Sequence, residues 1–268
     1  MKACRFACVL ALGAAIVEAC GGDLPKAGVS AVPPGLPPDA SAPPRVVEGD
    51  AATDPTRVDA RFVQGQTRIS APACSRVFIA IARGTATSAK DVLEAGDVMI
   101  VKYPDETFVN VDGLALQVIQ PFPCQIFDKP GPEVAFRRAK QAPELTWAKG
   151  EMQAHLDLGS DRKQDGEISP DLYLGRLSGT AGVAEHRHAT SIEILAAIEA
   201  SGTFTLAGVP RHLGPREIVT VPKDTPHSWK PDPGSKLVAI QMYLPPGPEQ
   251  RFITLDADDK AAKDGGKR

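Results

Sequence analysis

Four residues of the kinds that bind transition metals stand in two short blocks of the sequence. The first block contains His186, His188 and Glu193, and the second block ends at His227. Three of the chain's five histidines therefore belong to one pattern. Imidazole nitrogens and a carboxylate together form a ligand set for divalent transition metals. The pattern predicts one such ion, and the ligand set does not choose among Mn, Fe, Ni, Cu and Zn.

The predicted strands decide whether these four side chains can meet. His186 and His188 are two positions apart, so on a strand both imidazoles face the same side. Glu193 follows His188 at an odd offset, and a turn or bulge over 189–191 is needed to bring it to that side. His227 must come from another strand. Short apolar runs between Glu193 and His227, separated by turns, predict antiparallel strands.

The two blocks resemble the paired sequence motifs of the cupin superfamily. The first block matches a glycine, H-x-H-x-x-x-x-E and a second glycine, with Gly182 and Gly202 near the flanking positions. The second block resembles the family's glycine, proline and histidine through Pro222 and His227, although Asp224 stands where a glycine is usual. The resemblance covers roughly residues 145–252.

This resemblance implies an all-β fold, a double-stranded β-helix of the cupin or jelly-roll kind. It also implies that the two histidines and the glutamate of the first block, with the histidine of the second block, are the metal ligands. Residues 145–255 are predicted to be the metal-binding cupin domain. Residues 60–130 repeat its rhythm of strands and turns without histidines, so they are predicted to be a degenerate first copy in a bicupin-like arrangement. Residues 131–144 connect the two, and 133–141 is the best candidate for a short helix.

The ends of the chain are predicted to lie outside the folded part. Residues 1–19 have early basic residues and a short apolar run, which is typical of a signal peptide. Cys20 follows in a context that resembles a lipoprotein cleavage box, with ordinary secretion as the alternative. Residues 20–59 are rich in proline and are predicted to be a disordered tether. Residues 256–268 are predicted to be a polar disordered tail.

The composition limits partners and compartment. A net charge of −3 without a basic cluster argues against nucleic-acid binding. Apart from Cys20, only Cys74 and Cys124 follow the predicted signal peptide, so an exported chain could form a disulfide between them, with buried thiols as the alternative. The predicted location is the periplasm or cell envelope, with membrane contact only through a lipid anchor. A homodimer stays open.

Several polar and aromatic side chains on the predicted strands could shape a ligand pocket beside the metal. Trp229 is two positions beyond His227 and shares its face on a regular strand, although plain core packing is the competing interpretation. Arg176 could hold a carboxylate, or could lie at the surface or in an ion pair. The predicted pocket residues are Tyr173, Arg176, Thr205, Trp229, Gln241 and Tyr243.

The predicted site allows three functions. Four protein ligands leave open positions on a metal that prefers five or six, as a catalytic site requires. The first hypothesis is therefore a metal-dependent oxygenase, isomerase, lyase or decarboxylase acting on a small anionic molecule, a range that the resemblance implies. The alternatives are a non-catalytic module that binds a small molecule or sugar, and a structural envelope lipoprotein with a relict site.

Overall fold

The computed structural model describes residues 46–48, 58–89, 91–121, 134–158 and 172–265. These residues form three β-sheets and one helix of the α type. The strands of the first half are β1 (Val46–Glu48), β2 (Asp59–Ser70), β3 (Ser75–Ser88), β4 (Asp91–Glu94), β5 (Val98–Lys102), β6 (Glu106–Pro121), β7 (Val134–Arg137) and β8 (Glu144–Trp147). The later elements are β9 (Met152–Leu158), β10 (Tyr173–Gly179), β11 (Val183–His186), β12 (Ile192–Glu199), β13 (Gly202–Leu206), β14 (Val209–Leu213), β15 (Ile218–Val221), β16 (His227–Pro231), β17 (Leu237–Leu244) and α1 (Gln250–Gly265).

Two of the sheets form a sandwich that contains the two metal-ligand blocks. A seven-stranded sheet has the order β1-β15-β12-β17-β10-β9-β8, and a four-stranded sheet has the order β11-β16-β13-β14. The two sheets share one apolar core, in which Leu195 and Ala239 of the larger sheet pack with Phe204, Leu213 and Trp229 of the smaller one. Aligned sheets with side chains interdigitating between them are the architecture expected from short alternating strands.

The third sheet packs on the outer face of the larger one. Its six strands include the long antiparallel strands β2, β6 and β3, in the order β2-β6-β3-β5-β7, with β4 paired to β3. Phe78 and Leu116 of this sheet belong to the same core cluster as Ile194, Ile240 and Met242. Each fully buried aliphatic or aromatic side chain of this kind contributes about 1.5–3 kcal/mol of transfer free energy. The third sheet therefore stabilises the sandwich by covering the outer face of its larger sheet.

The central strands of the larger sheet are buried on both faces, and this explains their nearly continuous apolar sequence. Along β12, Ile194 and Ala196 pack against the third sheet. Leu195 and Ala197 point the other way, into the sandwich. Successive side chains of a strand face opposite sides, so Glu193 must point into the sandwich with Leu195. The strand parity thus places a carboxylate inside an apolar core, where it needs a compensating partner.

Short strands are present in two places where the sequence predicted a helix or disorder. In the connector, the short helix predicted over 133–141 is wrong, because Val134–Arg137 forms β7 on the edge of β5, and only Ala139–Gln141 turns as a 3-10 helix. In the tether, Val46–Glu48 pairs in parallel with Ile218–Thr220 on the edge of β15. An open sheet edge offers unpaired backbone groups, and these recruit segments with weak preferences of their own. Of the other tether residues only 58 and 59 are described, and Asp59 begins β2.

Residues 256–265 belong to the helix α1, where the sequence predicted a polar disordered tail over 256–268. The pattern concealed it, because α1 has few apolar residues and its docking uses polar contacts. Phe252 stacks on Trp147 with ring centroids 5.2 Å apart. The Asp256 carboxylate accepts the backbone N–H of Thr146 at 3.0 Å, and that of Asp259 accepts the N–H of Lys149 at 2.9 Å. No helix in the part of the chain covered here has the length and apolar character that crossing a membrane requires.

Replacing Phe252 with alanine should loosen α1 and destabilise the protein. Phe252 is 9% exposed and fills space against Trp147, so its removal loses both transfer free energy and packing. We expect a loss of about 3 kcal/mol in the free energy of unfolding, measured by chemical denaturation. Ile253→Ala is the matched control, since Ile253 is on the same helix but 39% exposed. Equal effects of the two substitutions would contradict the docking of α1 through Phe252.

Candidate metal centre

The turn between β11 and β12 brings the first block together. β11 ends at His186, the chain bends through 187–191, and β12 begins at Ile192, one residue before Glu193. β16 begins at His227 and pairs with β11 so that His186 lies opposite His227. His186, Glu193 and His227 thus come from three strands, whereas His188 lies in the turn and not, as the sequence predicted, on a strand with His186. All four side chains point into the same end of the sandwich.

The four side chains are close enough to hold one ion. One ligand atom from each of the four, His186, His188, Glu193 and His227, lies within 4.8 Å of all the others. The Oε2 of Glu193 is 3.1 Å from the Nε2 of His188 and 2.9 Å from the Nε2 of His227. Metal–ligand bonds of about 2.1 Å place neighbouring ligand atoms about 3 Å apart. The two Glu193 separations are compatible with ligands that share one ion.

Hydrogen bonds to the backbone fix the histidine tautomers. The Nδ1–H of His186 donates to the carbonyl oxygen of Ala184 at 2.9 Å, and the Nδ1–H of His227 donates to that of Thr225 at 2.9 Å. A carbonyl only accepts, so Nδ1 carries the proton and Nε2 of each neutral ring presents a lone pair to the cluster. The buried Nε2 of His227 has no hydrogen-bond partner of adequate geometry, despite its short distance to Glu193. An unsatisfied buried nitrogen beside a carboxylate fits a metal ligand.

The electrostatics of the cluster favour an ionised carboxylate. Burial alone would raise the pKa of Glu193, but the hydrogen bonds from His188 and Gln241 and the positive charge that His227 can carry outweigh it and hold the pKa far below its usual range. Burial lowers the pKa of His227, and the Glu193 carboxylate outweighs that effect and raises it above 6.5. Burial, and next the charge of His227, lower the pKa of His186. Glu193 thus supplies the negative charge around which the imidazoles gather.

Metal affinity should depend on pH in a direction that these shifts fix. Below the raised pKa of His227, a metal must displace the proton of this histidine. His186 has a lowered pKa, so it is already neutral near the pKa of His227. Affinity should therefore weaken as the pH falls through the raised pKa of His227, by about tenfold for each pH unit per displaced proton. The check is a competition titration against a chelator between about pH 8 and pH 5. A constant affinity over this range would contradict the assignment of His227 as a ligand.

Gln241 holds the carboxylate from the neighbouring strand. It pairs with Leu195 across β17 and β12, and its Nε2 donates to the Oε1 of Glu193 at 2.6 Å. Groups that orient metal ligands in this way are worth about 10- to 100-fold in metal affinity. Gln241→Leu should therefore weaken metal binding by that factor while the protein stays folded, as a chelator competition would measure. Gln153→Leu is the control, because Gln153 lies on β9 and contacts Ser178 instead. Equal affinities in the two variants would remove Gln241 from the centre.

The cluster opens into a cavity of about 170 Å³ inside the sandwich. Of the predicted pocket residues, Trp229, Gln241 and Tyr243 line this cavity. Gly202 permits the packing of Trp229, because a Cβ at that position would lie 2.6 Å from the indole ring and 2.4 Å from the carbonyl oxygen of Lys230. Tyr243 stands edge-on to His188 with ring centroids 5.0 Å apart. Burial and the charge of Glu193 raise the pKa of Tyr243 well above 10.0, so its hydroxyl remains a donor.

Three predicted pocket residues lie elsewhere. The guanidinium of Arg176 is turned to Asp157, with two hydrogen bonds of 2.9 Å, so the competing interpretation of an ion pair is the right one. Tyr173 lies behind Tyr243, on which it stacks at 5.4 Å, and is 1% exposed. Thr205 pairs with Ser228 across β13 and β16 but does not line the cavity. For Arg176 the charge of Asp157 on the neighbouring strand decided the orientation.

The structure adds lining residues that strand patterns did not indicate. Trp147 on β8 and the α1 residues Arg251, Phe252 and Leu255 form one wall of the cavity, and Phe204 on β13 forms another. The sequence pattern indicated Phe204 only as an apolar residue of a predicted strand. The wall formed by α1 had no signal in the sequence, because it depends on where the helix docks.

The remaining histidines and cysteines lie apart from this centre or outside the description. His155 on β9 is 4.0 Å from Glu144, and His212 on β14 is 3.7 Å from Asp232. Cys74 is disulfide-bonded, while Cys124 lies outside the described residues, so their pairing stays a prediction. Cys20 and the predicted signal peptide also lie outside the described residues.

Comparisons with known proteins give a fold relationship. No protein-family model matches the chain, and no curated protein matches it by sequence. An IolB-like protein from Salmonella typhimurium LT2 has a TM-score of 0.53 at 11% identity, covering 71% of this chain and 83% of that chain. A variant of oxalate decarboxylase from Bacillus subtilis has a TM-score of 0.52 at 9% identity, covering 71% and 70%. Vicilin from Corylus avellana has a TM-score of 0.51 at 10% identity, covering 68% and 71%.

These similarities define the class of fold. The chain is an all-β protein with the cupin, or jelly-roll, fold, and its match to most of the length of oxalate decarboxylase and vicilin is bicupin-like. The fold prediction is confirmed. Within this cupin fold, three histidines and one glutamate form a group that could hold a metal ion. The Bacillus subtilis oxalate decarboxylase is itself described with Mn(II) centres.

Proposed function

We propose that this chain is a metal-dependent cupin enzyme that holds one divalent transition metal through His186, His188, Glu193 and His227. One observation carries the proposal: the buried Nε2 of His227 lacks a hydrogen-bond partner, while its Nδ1–H is fixed to the backbone. A bound ion would supply Lewis acidity and open coordination positions. Gln241 orients the Glu193 carboxylate, and the hydroxyl of Tyr243 can donate a hydrogen bond in the same cavity.

Several features support catalysis on a small anionic molecule. The cluster lines the cavity, so a molecule bound there would meet the ligand residues directly. Three neutral imidazoles and one carboxylate leave a divalent ion with a net charge near +1, which attracts an anion. Tyr243 is a titratable group in the same cavity, outside the ligand set. The reaction class stays among oxygenase, isomerase, lyase and decarboxylase.

The test combines metal analysis with turnover. We expect elemental analysis of the protein, purified from its native compartment, to give one transition-metal ion per chain, and His186→Ala to lose it. Metal-loaded protein is then incubated with a panel of small carboxylates, and products are followed by mass spectrometry. Metal without turnover would favour the binding module, and absence of metal in the wild-type protein would favour a relict site.

We also propose that the protein is exported and anchored through Cys20, with residues 60–130 as a degenerate first copy. The apolar run before Cys20 and the proline-rich stretch after it support the export proposal. Its ligands are then small molecules rather than nucleic acids, since the net charge is −3. Radiolabelled palmitate should enter the wild-type protein and not Cys20→Ser. If neither protein took up palmitate, lipidation would be wrong and ordinary secretion would be the remaining export route.

A further inference from the structure

The C-terminal helix contributes to the cavity that the four candidate metal ligands line. Arg251, Phe252 and Leu255 of α1 line this cavity. Phe252 stacks on Trp147, which also lines it, and the Asp256 carboxylate fixes the helix to β8. A wall attached by these two contacts is part of the site rather than a passing tail.

Arg251 gives this wall a positive charge. It is the only arginine or lysine among the described residues that line the cavity. Its side chain is exposed, and among the described residues it forms no ion pair with an aspartate or glutamate. The contrast with Arg176 is direct, because Asp157 neutralises that guanidinium. Arg251 is therefore available at the mouth of the cavity for an anionic group that enters it.

The remaining surface of the cavity is mainly apolar. Its size of about 170 Å³ is near the roughly 150 Å³ that accommodates one benzene molecule in a protein core. Such walls exclude a highly hydrated sugar or a compact polyanion and favour an apolar body. The apolar lining residues that dominate the walls are Trp147, Leu195, Phe204, Trp229, Leu237 and Phe252.

We propose that the cavity binds a small organic acid with an apolar body about the size of one aromatic ring, and that Arg251 on α1 holds its carboxylate. The rest of the molecule extends between the aromatic walls toward Tyr243 and the metal cluster. Its approach to a metal rests on the proposed function, whereas the part played by Arg251 does not. Arg251 is then a specificity-determining residue supplied from outside the sandwich.

The experiment compares benzoate with its uncharged analogue benzamide. Binding to the full-length protein is measured by calorimetry and by tryptophan fluorescence, with the metal content of every sample determined in parallel. Wild-type protein should bind benzoate more tightly than benzamide. Arg251→Gln should weaken benzoate binding by about 10- to 100-fold, the value of a charge-assisted hydrogen bond, and leave benzamide binding unchanged. Arg251→Lys should retain part of the preference, because it keeps the charge without the planar fork.

Arg68→Gln is the matched control. It removes the same charge from an exposed arginine of β2 that pairs with Glu106, away from the cavity. The proposal is overturned if wild-type protein shows no preference for benzoate, or if Arg251→Gln and Arg68→Gln bind benzoate equally well. Thermal unfolding of each variant shows that it is folded. Loss of metal without loss of the Arg251-dependent preference would overturn the proposed metal function alone.

Discussion

His227→Ala is expected to lower the metal affinity by more than about 100-fold, a larger loss than orienting groups cause. Its Nε2 is 2.9 Å from the Glu193 carboxylate and has no hydrogen-bond partner of adequate geometry, so this lone pair has no other evident use. The substitution also removes the group that helps to hold the pKa of Glu193 low. Chelator competition on the purified variant measures the change.

His212→Ala is the control for this substitution. Its side chain is 65% exposed and lies 3.7 Å from Asp232, outside the cluster. It should leave the affinity unchanged. If His227→Ala retained wild-type affinity, the four-residue centre would be wrong, whatever the behaviour of the control.

Removal of the metal should destabilise the wild-type protein strongly. An ion that binds only the folded chain adds about 4 kcal/mol to the free energy of unfolding when its free concentration is 1,000 times its dissociation constant. For a folded part of this size, each kcal/mol shifts the unfolding temperature by about 2–4 °C, so chelation should lower it by about 8–16 °C. Differential scanning calorimetry with and without chelator measures the shift.

The same experiment on His227→Ala separates this effect from general action of the chelator. The variant has lost a ligand, so its unfolding temperature should hardly respond to chelator or to added metal. A shift as large as that of the wild-type protein would place the stabilising ion elsewhere in the chain. A wild-type protein that does not respond would contradict a metal bound preferentially to the folded state.

Apo protein should retain its fold, because the cores do not depend on the ion. Ile194 and Met242 pack with Phe78 in one cluster, and Leu195 packs with Phe204 in another. Without an ion, the buried Glu193 carboxylate lacks the metal's positive charge. A protonated His227 supplies a positive charge in its place, because its Nε2 is 2.9 Å from that carboxylate. The centre is therefore preorganised, and metal binding adds stability to an already folded sandwich.

The spacing of residues along the chain was sufficient to predict the turn that brings Glu193 to the histidines. The turn before Glu193 is a short-range feature that the structure confirms, but it begins at residue 187, so His188 lies in the turn rather than on β11 with His186. The alternating strands and turns predicted an antiparallel β-protein, and the resemblance of the two ligand blocks to the family's motifs implied the cupin fold. Arg176 was different, because its direction was decided by Asp157 on the neighbouring strand.

The sequence by itself determined which residues could bind a metal, the turn that gathers three of them, and the class of fold. Only the tertiary structure decided that Gln241 holds Glu193, that Asp157 removes Arg176 from the pocket, and that α1 brings Arg251 to the cavity. The reason is physical: side-chain direction along a strand follows from a two-residue period, whereas docking of a polar helix depends on distant backbone groups, such as the N–H of Thr146, that no local pattern reveals.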